Sequence, residues 1–144
     1  MAVKMFFDNF EEMDKLCTEW RERLGLNDWT ISLRFAYPHE LSSVDFAGES
    51  NVQWITKCAL ISIRKPECIP NSDGEQPQPQ ELVLIHELLH CKFFGVEQAH
   101  PTIEGLFWDT MQHALLEDMA KALYCAKYNL PRSFFTAPPN TEVS

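Results

Sequence analysis

Basic residues are scarce in this chain. Twelve lysines and arginines stand against 21 acidic residues, a net charge of −9 over 144 residues. The basic residues are scattered, with no cluster above Arg21-Glu22-Arg23, so the basic stripe that a nucleic-acid groove requires is missing. The five cysteines, Cys17, Cys58, Cys68, Cys91 and Cys125, include no C-x-x-C spacing. An odd number without that spacing reads as reduced thiols, most of them buried. Two other uses stand beside that one: a Cys58–Cys68 pair, and Cys91 as a sulfur ligand next to His90. No apolar run approaches the roughly 20 residues needed to span a bilayer. The opening stretch MAVKMFFDNFEEMDK turns acidic before an apolar core of signal-peptide length has formed. There is no internal repeat. These absences lead to the expectation of one cytoplasmic globular domain with neither a nucleic-acid nor a membrane partner. Its 45% apolar content suits a chain of this size, which buries roughly two-thirds of its unfolded surface without a disulfide.

What is present is a clear order of elements. Residues 8–24 carry Phe10, Met13, Leu16, Cys17, Trp20 and Leu24 at helical spacing, one apolar stripe stopped by Gly25. WTISLRF alternates, with Trp29, Ile31, Leu33 and Phe35 on one face of a half-buried strand. Residues 37–50 are turn-rich. Val52, Trp54 and Thr56 then alternate as a second strand. A third, CALISIRKP, sets Ala59, Ile61 and Ile63 against Ser62 and Arg64 and ends before Pro66. A proline-rich loop, residues 70–80, places Pro79 at the start of a helix that runs to Phe94 and stops at Gly95. A long helix follows from about Thr102 to Tyr128. The expected fold class is α+β: an N-terminal helix, a small, mostly antiparallel sheet of about three strands, and two further helices. One domain covers residues 1–130, with an irregular tail at 131–144.

The chemistry concentrates in ELVLIHELLHC, residues 81–91, where His86, Glu87 and His90 form H-E-x-x-H. On a helix the two histidines share a face one turn apart, and their imidazoles can reach one ion at about 2.0–2.1 Å, which suits tetrahedral zinc. Glu87 is rotated about 100° from His86. It flanks the metal as a general base toward a water that the ion activates. With this chain's own His and Glu frequencies, chance gives the pattern with odds of about 2%. Leu82, Leu84, Ile85, Leu88 and Leu89 surround it, and polar groups buried in such a helix need partners that a metal supplies.

The third ligand sets the subclass. A metzincin would need glycine and histidine three and six residues after His90, where the chain has Phe93 and Val96. The remaining candidates are Glu117 and His113, four apart on the last helix, and His100 in the loop before it. Glu117 is favoured, since a carboxylate among Leu116, Met119, Ala120 and Leu123 would otherwise be a buried, unpaired charge. His113 or Tyr124 then donates to an oxyanion, or His113 orients a ligand. Plain core packing is an equal reading for Tyr124.

LGLNDWTISLRF, CALISI, ELVLIHELLHCKF and LLEDMAKAL, in that order, resemble the small gluzincin-type metallopeptidase-like proteins of phages, prophages and bacteria, including the compact ImmA-like peptidases. The likeness covers roughly residues 10–125, and its specific part is the H-E-x-x-H. It implies a zincin-like fold, His86, His90 and Glu117 as zinc ligands, and Glu87 as the base. It also implies an extended peptide lying along ALISI as the sheet edge, and a bacterial-host cytoplasm if the protein is phage-encoded. Two departures stand out. Larger thermolysin-like enzymes have an Asp one turn after the ligand Glu, where this chain has Lys121. There is also no second lobe. Spartan-type proteases place a third His after the motif, a part open to His100, but they act on DNA. The expected function is zinc-dependent hydrolysis of a peptide bond in a specific protein substrate. The alternative is a zincin-fold binding or regulatory protein that keeps the zinc and acts by protein–protein contact.

Overall fold

The computed structural model describes residues 3–68, 78–98 and 105–135. Its regular elements are α1 (Phe10–Leu24), β1 (Thr30–Ala36), β2 (Gly48–Gln53), β3 (Cys58–Arg64), α2 (Gln80–Gln98) and α3 (Gly105–Tyr128), with short 3-10 turns at Pro38–Glu40, Pro66–Cys68 and Arg132–Phe135. The fold is α+β.

Helix α1 follows from its local chemistry. The Asn9 side chain accepts from the Glu12 N–H at 2.9 Å, satisfying one of the orphan donors of the first turn. At the other end Gly25 takes φ 70°, a left-handed stop that its missing Cβ allows. The stripe between these ends buries Met13, Cys17 and Trp20.

The sheet is mixed rather than mostly antiparallel. β3 lies in the middle, parallel to β1 and antiparallel to β2. Alternation carries no information about pairing direction, and the excursion through residues 37–47 gives β1 room to be bypassed. The second strand also sits earlier than Val52–Thr56: it is Gly48–Gln53, and residues 54–57 form the tight turn into β3, with Lys57 at φ 54°. Central placement buries both faces of β3. Ile61 and Ile63 on one face are fully buried, and on the other Ser62 is fully buried and Arg64 is buried too. Ser62 accepts from Arg34 Nε at 2.7 Å. The Arg64 guanidinium donates to the carbonyls of Val44, at 2.7 Å, and Cys68, at 3.0 Å. It thereby pins the irregular segment before β2 onto the sheet.

Helix α2 contacts α1, α3, β2 and β3. Leu82, Leu84, Ile85 and Leu88 are all fully buried, the pattern of a helix covered on most sides. It continues through Gly95 to Gln98. An internal glycine costs a helix only about 1 kcal/mol, so Gly95 is no obligatory stop. At the base of α2, Glu81 is buried and joins three helices. It accepts from Trp20 Nε1 at 2.8 Å, from Lys127 Nζ at 2.6 Å and from the Tyr128 hydroxyl. α3 ends at Asn129, φ 55°, and the turn at Arg132–Phe135 folds back so that Phe135 packs on Tyr124, ring centroids 5.7 Å apart. That part of the expected irregular tail is therefore ordered against the domain.

All five cysteines are free, which excludes the Cys58–Cys68 pair. Among the described residues no helix is long and apolar enough to cross a membrane.

Candidate metal centre

The middle of α2 and the middle of α3 face each other across one end of the cleft beside β2. His86 and His90, one turn apart, have ring centroids 5.1 Å apart. His113 of α3 completes a triangle, 5.8 Å from His86 and stacked on it, and 5.1 Å from His90. The three rings offer nitrogens that all lie within 4.8 Å of one another, a group able to hold one metal ion.

Glu117 sits one turn beyond His113 and approaches His86 alone, its Oε2 3.1 Å from Nδ1. Its other oxygen accepts from Gln78 Nε2 at 3.0 Å. His86 Nδ1 is buried and no donor–acceptor pair is aligned on it. The contact with Glu117 therefore has ion-pair distance without hydrogen-bond geometry. Two ligand atoms on a tetrahedral ion at about 2.05 Å stand roughly 3.3 Å apart. The orphaned nitrogen and the carboxylate oxygen thus have the separation of two such vertices. The donor set, imidazoles and a carboxylate, is one that zinc takes.

Charge within the cluster is set by burial working against close partners. Burial alone would lower the His86 pKa, but contact with Glu117 and the nearby Glu87 outweigh it and raise it. Burial also pushes Glu117 up, yet His86, Lys121 and Gln78 together hold it below its ordinary value. Lys121, which occupies the place of the thermolysin-type Asp, thus adds positive charge near a carboxylate. Glu87 differs: burial dominates and raises its pKa, opposed by His86, His90 and a hydrogen bond from the Ser50 side chain, with Glu49 adding to the rise.

The cleft has a volume of about 450 Å³. α2 forms one wall through Val83, His86, Glu87 and His90, and β2 with the segment before it forms the other through Phe46, Gly48 and Ser50. β2 is an edge strand, and it is this strand, not ALISI, that borders the site; ALISI is β3, paired on both sides. Gly48 makes the approach possible. A Cβ there would stand 2.7 Å from Val83 Cγ1 and 3.2 Å from the Ser62 carbonyl oxygen, and the backbone of Gly48 is not left-handed, so the requirement is space rather than torsion. Gly48→Ala is expected to cost about 1–3 kcal/mol by overpacking, measured as a lower urea midpoint with an unchanged m-value.

The sequence-derived residues divide accordingly. His86, Glu87, His90, His113 and Glu117 all line this one cleft. Tyr124 does not: it is buried in the core against Tyr128 and Phe135. Cys91 is buried in the core and outside the histidine group. His100 lies outside the described residues. Gln78, Gly48 and Ser50 carry no motif and sit in stretches without periodicity, so only the fold brings them to the site.

No family model, curated protein or solved structure matches this chain.

Proposed function

We propose that the protein is a zinc-dependent peptidase of the zincin type, in which His86 and His90 of α2 and Glu117 of α3 hold the ion and Glu87 is the general base. The main support is the buried, unaligned Nδ1 of His86, 3.1 Å from a Glu117 oxygen whose partner oxygen Gln78 already fixes. A cation between them would satisfy both groups. When bound, zinc supplies Lewis-acid polarisation of a substrate carbonyl and of water.

The chain's own residues do the rest. Gln78 orients the Glu117 carboxylate. Glu87, held out of solvent on the β2 side, takes a proton on its carboxylate and returns it to the amine nitrogen that leaves when the peptide bond breaks. The free edge of β2 is suited to pairing with an extended peptide through main-chain hydrogen bonds, which would lay a scissile bond across the cleft. Like the gluzincin-type proteins the sequence resembles, the domain joins an H-E-x-x-H helix to a later helix carrying a glutamate.

A specific observation favours His113 as the third ligand instead: its ring, unlike the Glu117 carboxylate, is close to both motif histidines. His113 is exposed where Glu117 is half-buried and braced, which suits His113 better to contacting substrate. Zinc content of Glu117→Ala and His113→Ala separates the two. Glu117→Ala is expected to lose bound zinc and His113→Ala to keep it; the opposite pattern moves the third ligand to His113. Cleavage of a quenched-fluorescence peptide library by zinc-loaded protein, abolished by chelator and restored by zinc, is the expected activity. A zinc-loaded protein that cleaves nothing in the library or among its host's proteins would favour a zinc-bearing binding protein.

A further inference from the structure

A carboxylate adjacent to a metal-binding histidine has two fates. It can swing onto the ion as another ligand, or it can be held aside as a base. In this fold β2 decides between them. Residues 48 and 50 lie on the same face of the strand, by its period of two, and that face meets α2. A Cβ at position 48 would stand 3.4 Å from Glu87 Cγ. Ser50 lines the same cleft as Glu87, and its side chain favours the charged form of the Glu87 carboxylate against the effect of burial. Glu87 is only 7% exposed, so solvent offers it little alternative to Ser50 or the ion.

We propose that Ser50 is a positioning residue whose hydroxyl holds the Glu87 carboxylate against β2 and off the metal, Gly48 providing the space that lets α2 come near enough for that contact. This role rests on the reading of His86 and His90 as metal ligands and deepens it, since it assigns to a residue outside the motif the task of keeping the base a base. Without the hydroxyl, the carboxylate is left with Glu49, which repels it, and with His86 and His90, which draw it toward the ion they would hold. Turning toward the ion adds a ligand and removes the base in one movement.

Cobalt(II) loaded in place of zinc reports this directly, because its visible spectrum depends on ligand number and geometry. The full chain would be compared as wild type, S50A, S50T, E87Q and S50A/E87Q. S50V, which keeps the bulk of threonine without its hydroxyl, stands in should S50A fail to fold. S50A and S50V are expected to shift the visible bands, to weaken them as coordination number rises, and to tighten the cobalt Kd by about tenfold, the low end of effects from ligand-supporting residues. S50T is expected to restore the wild-type spectrum, and S50A/E87Q to match E87Q alone. An S50A protein with the wild-type spectrum and Kd overturns the proposal. So does an S50A effect that persists undiminished in the E87Q background, since Ser50 would then act through the strand and not through Glu87. A wild-type chain that takes up no cobalt overturns the metal site itself, and this role with it.

Discussion

Glu87→Gln is expected to leave metal binding intact and to lower peptide hydrolysis by roughly 10²–10⁴-fold, the usual contribution of a positioned general base. The substitution is nearly isosteric. The amide still fits the 7%-exposed site beside β2, and its carbonyl oxygen can still accept a hydrogen bond there, so the fold has no reason to respond. What is lost is a carboxylate able to take a proton. The effect should fall on kcat, because Glu87 acts on a proton in transit rather than on substrate binding. Zinc content and thermal midpoint would be measured on the same preparations. A Glu87→Gln protein that cleaves at the wild-type rate removes Glu87 from the chemistry. One that loses its zinc makes Glu87 a ligand and contradicts the division of labour among the motif residues.

Glu81→Ala is expected to be the most damaging change away from the cleft, at about 3–5 kcal/mol, because it removes a buried carboxylate that three donors share and leaves Lys127 only the more exposed Glu19. Lys127 is 12% exposed and spans Glu81, at 2.6 Å, and Glu19, at 2.9 Å. Glu81 also takes the indole N–H of Trp20, a side chain with 1% exposure in the centre of the core. Removing the carboxylate therefore strands the Trp20 indole donor and the Tyr128 hydroxyl and takes from Lys127 the more buried of its two partners. At about 2–4 °C per kcal/mol for a domain of this size, the melting temperature should fall by about 6–20 °C. Glu19→Ala is the control: its carboxylate is 37% exposed, and an exposed pair is worth about 1 kcal/mol or less. Adding Lys127→Met to Glu81→Leu should recover much of the loss, since a buried pair replaced as a whole by apolar groups is often neutral. If Glu81→Ala and Glu19→Ala prove equally mild, the network is ornament and the three helices are held by apolar packing alone.

The contrast between these two glutamates shows what the sequence made legible. His86, Glu87 and His90 were readable because a spacing of four on a helix is a geometric statement by itself, needing no knowledge of the fold. His113 and Glu117 were readable as a pair for the same reason, but their order of approach to the motif was not. That depends on how α3 is rotated against α2, which packing sets. Glu81 begins the same motif stretch yet looks like any first-turn helix acid; its burial comes from Trp20 and Lys127, residues 61 and 46 positions away. The burial of Ser62 and Arg64 was not legible because alternation separates two faces without saying whether the second is wet, and a central strand under a pinned loop has no wet face. The strand that borders the cleft was misplaced for the related reason that strand order is a property of the whole sheet. Ser50 and Gly48, in a stretch with no period, became visible only through the closeness of β2 to α2.

The most direct test of the account is the number of zinc ions per chain, measured by elemental analysis on wild-type protein stripped with chelator, reloaded and freed of excess metal, beside His86→Ala and His90→Ala treated identically. The account predicts one zinc per wild-type chain and close to none in either variant, with all three chains folded. Wild-type protein that reloads no zinc, or variants that retain a full equivalent, would contradict it.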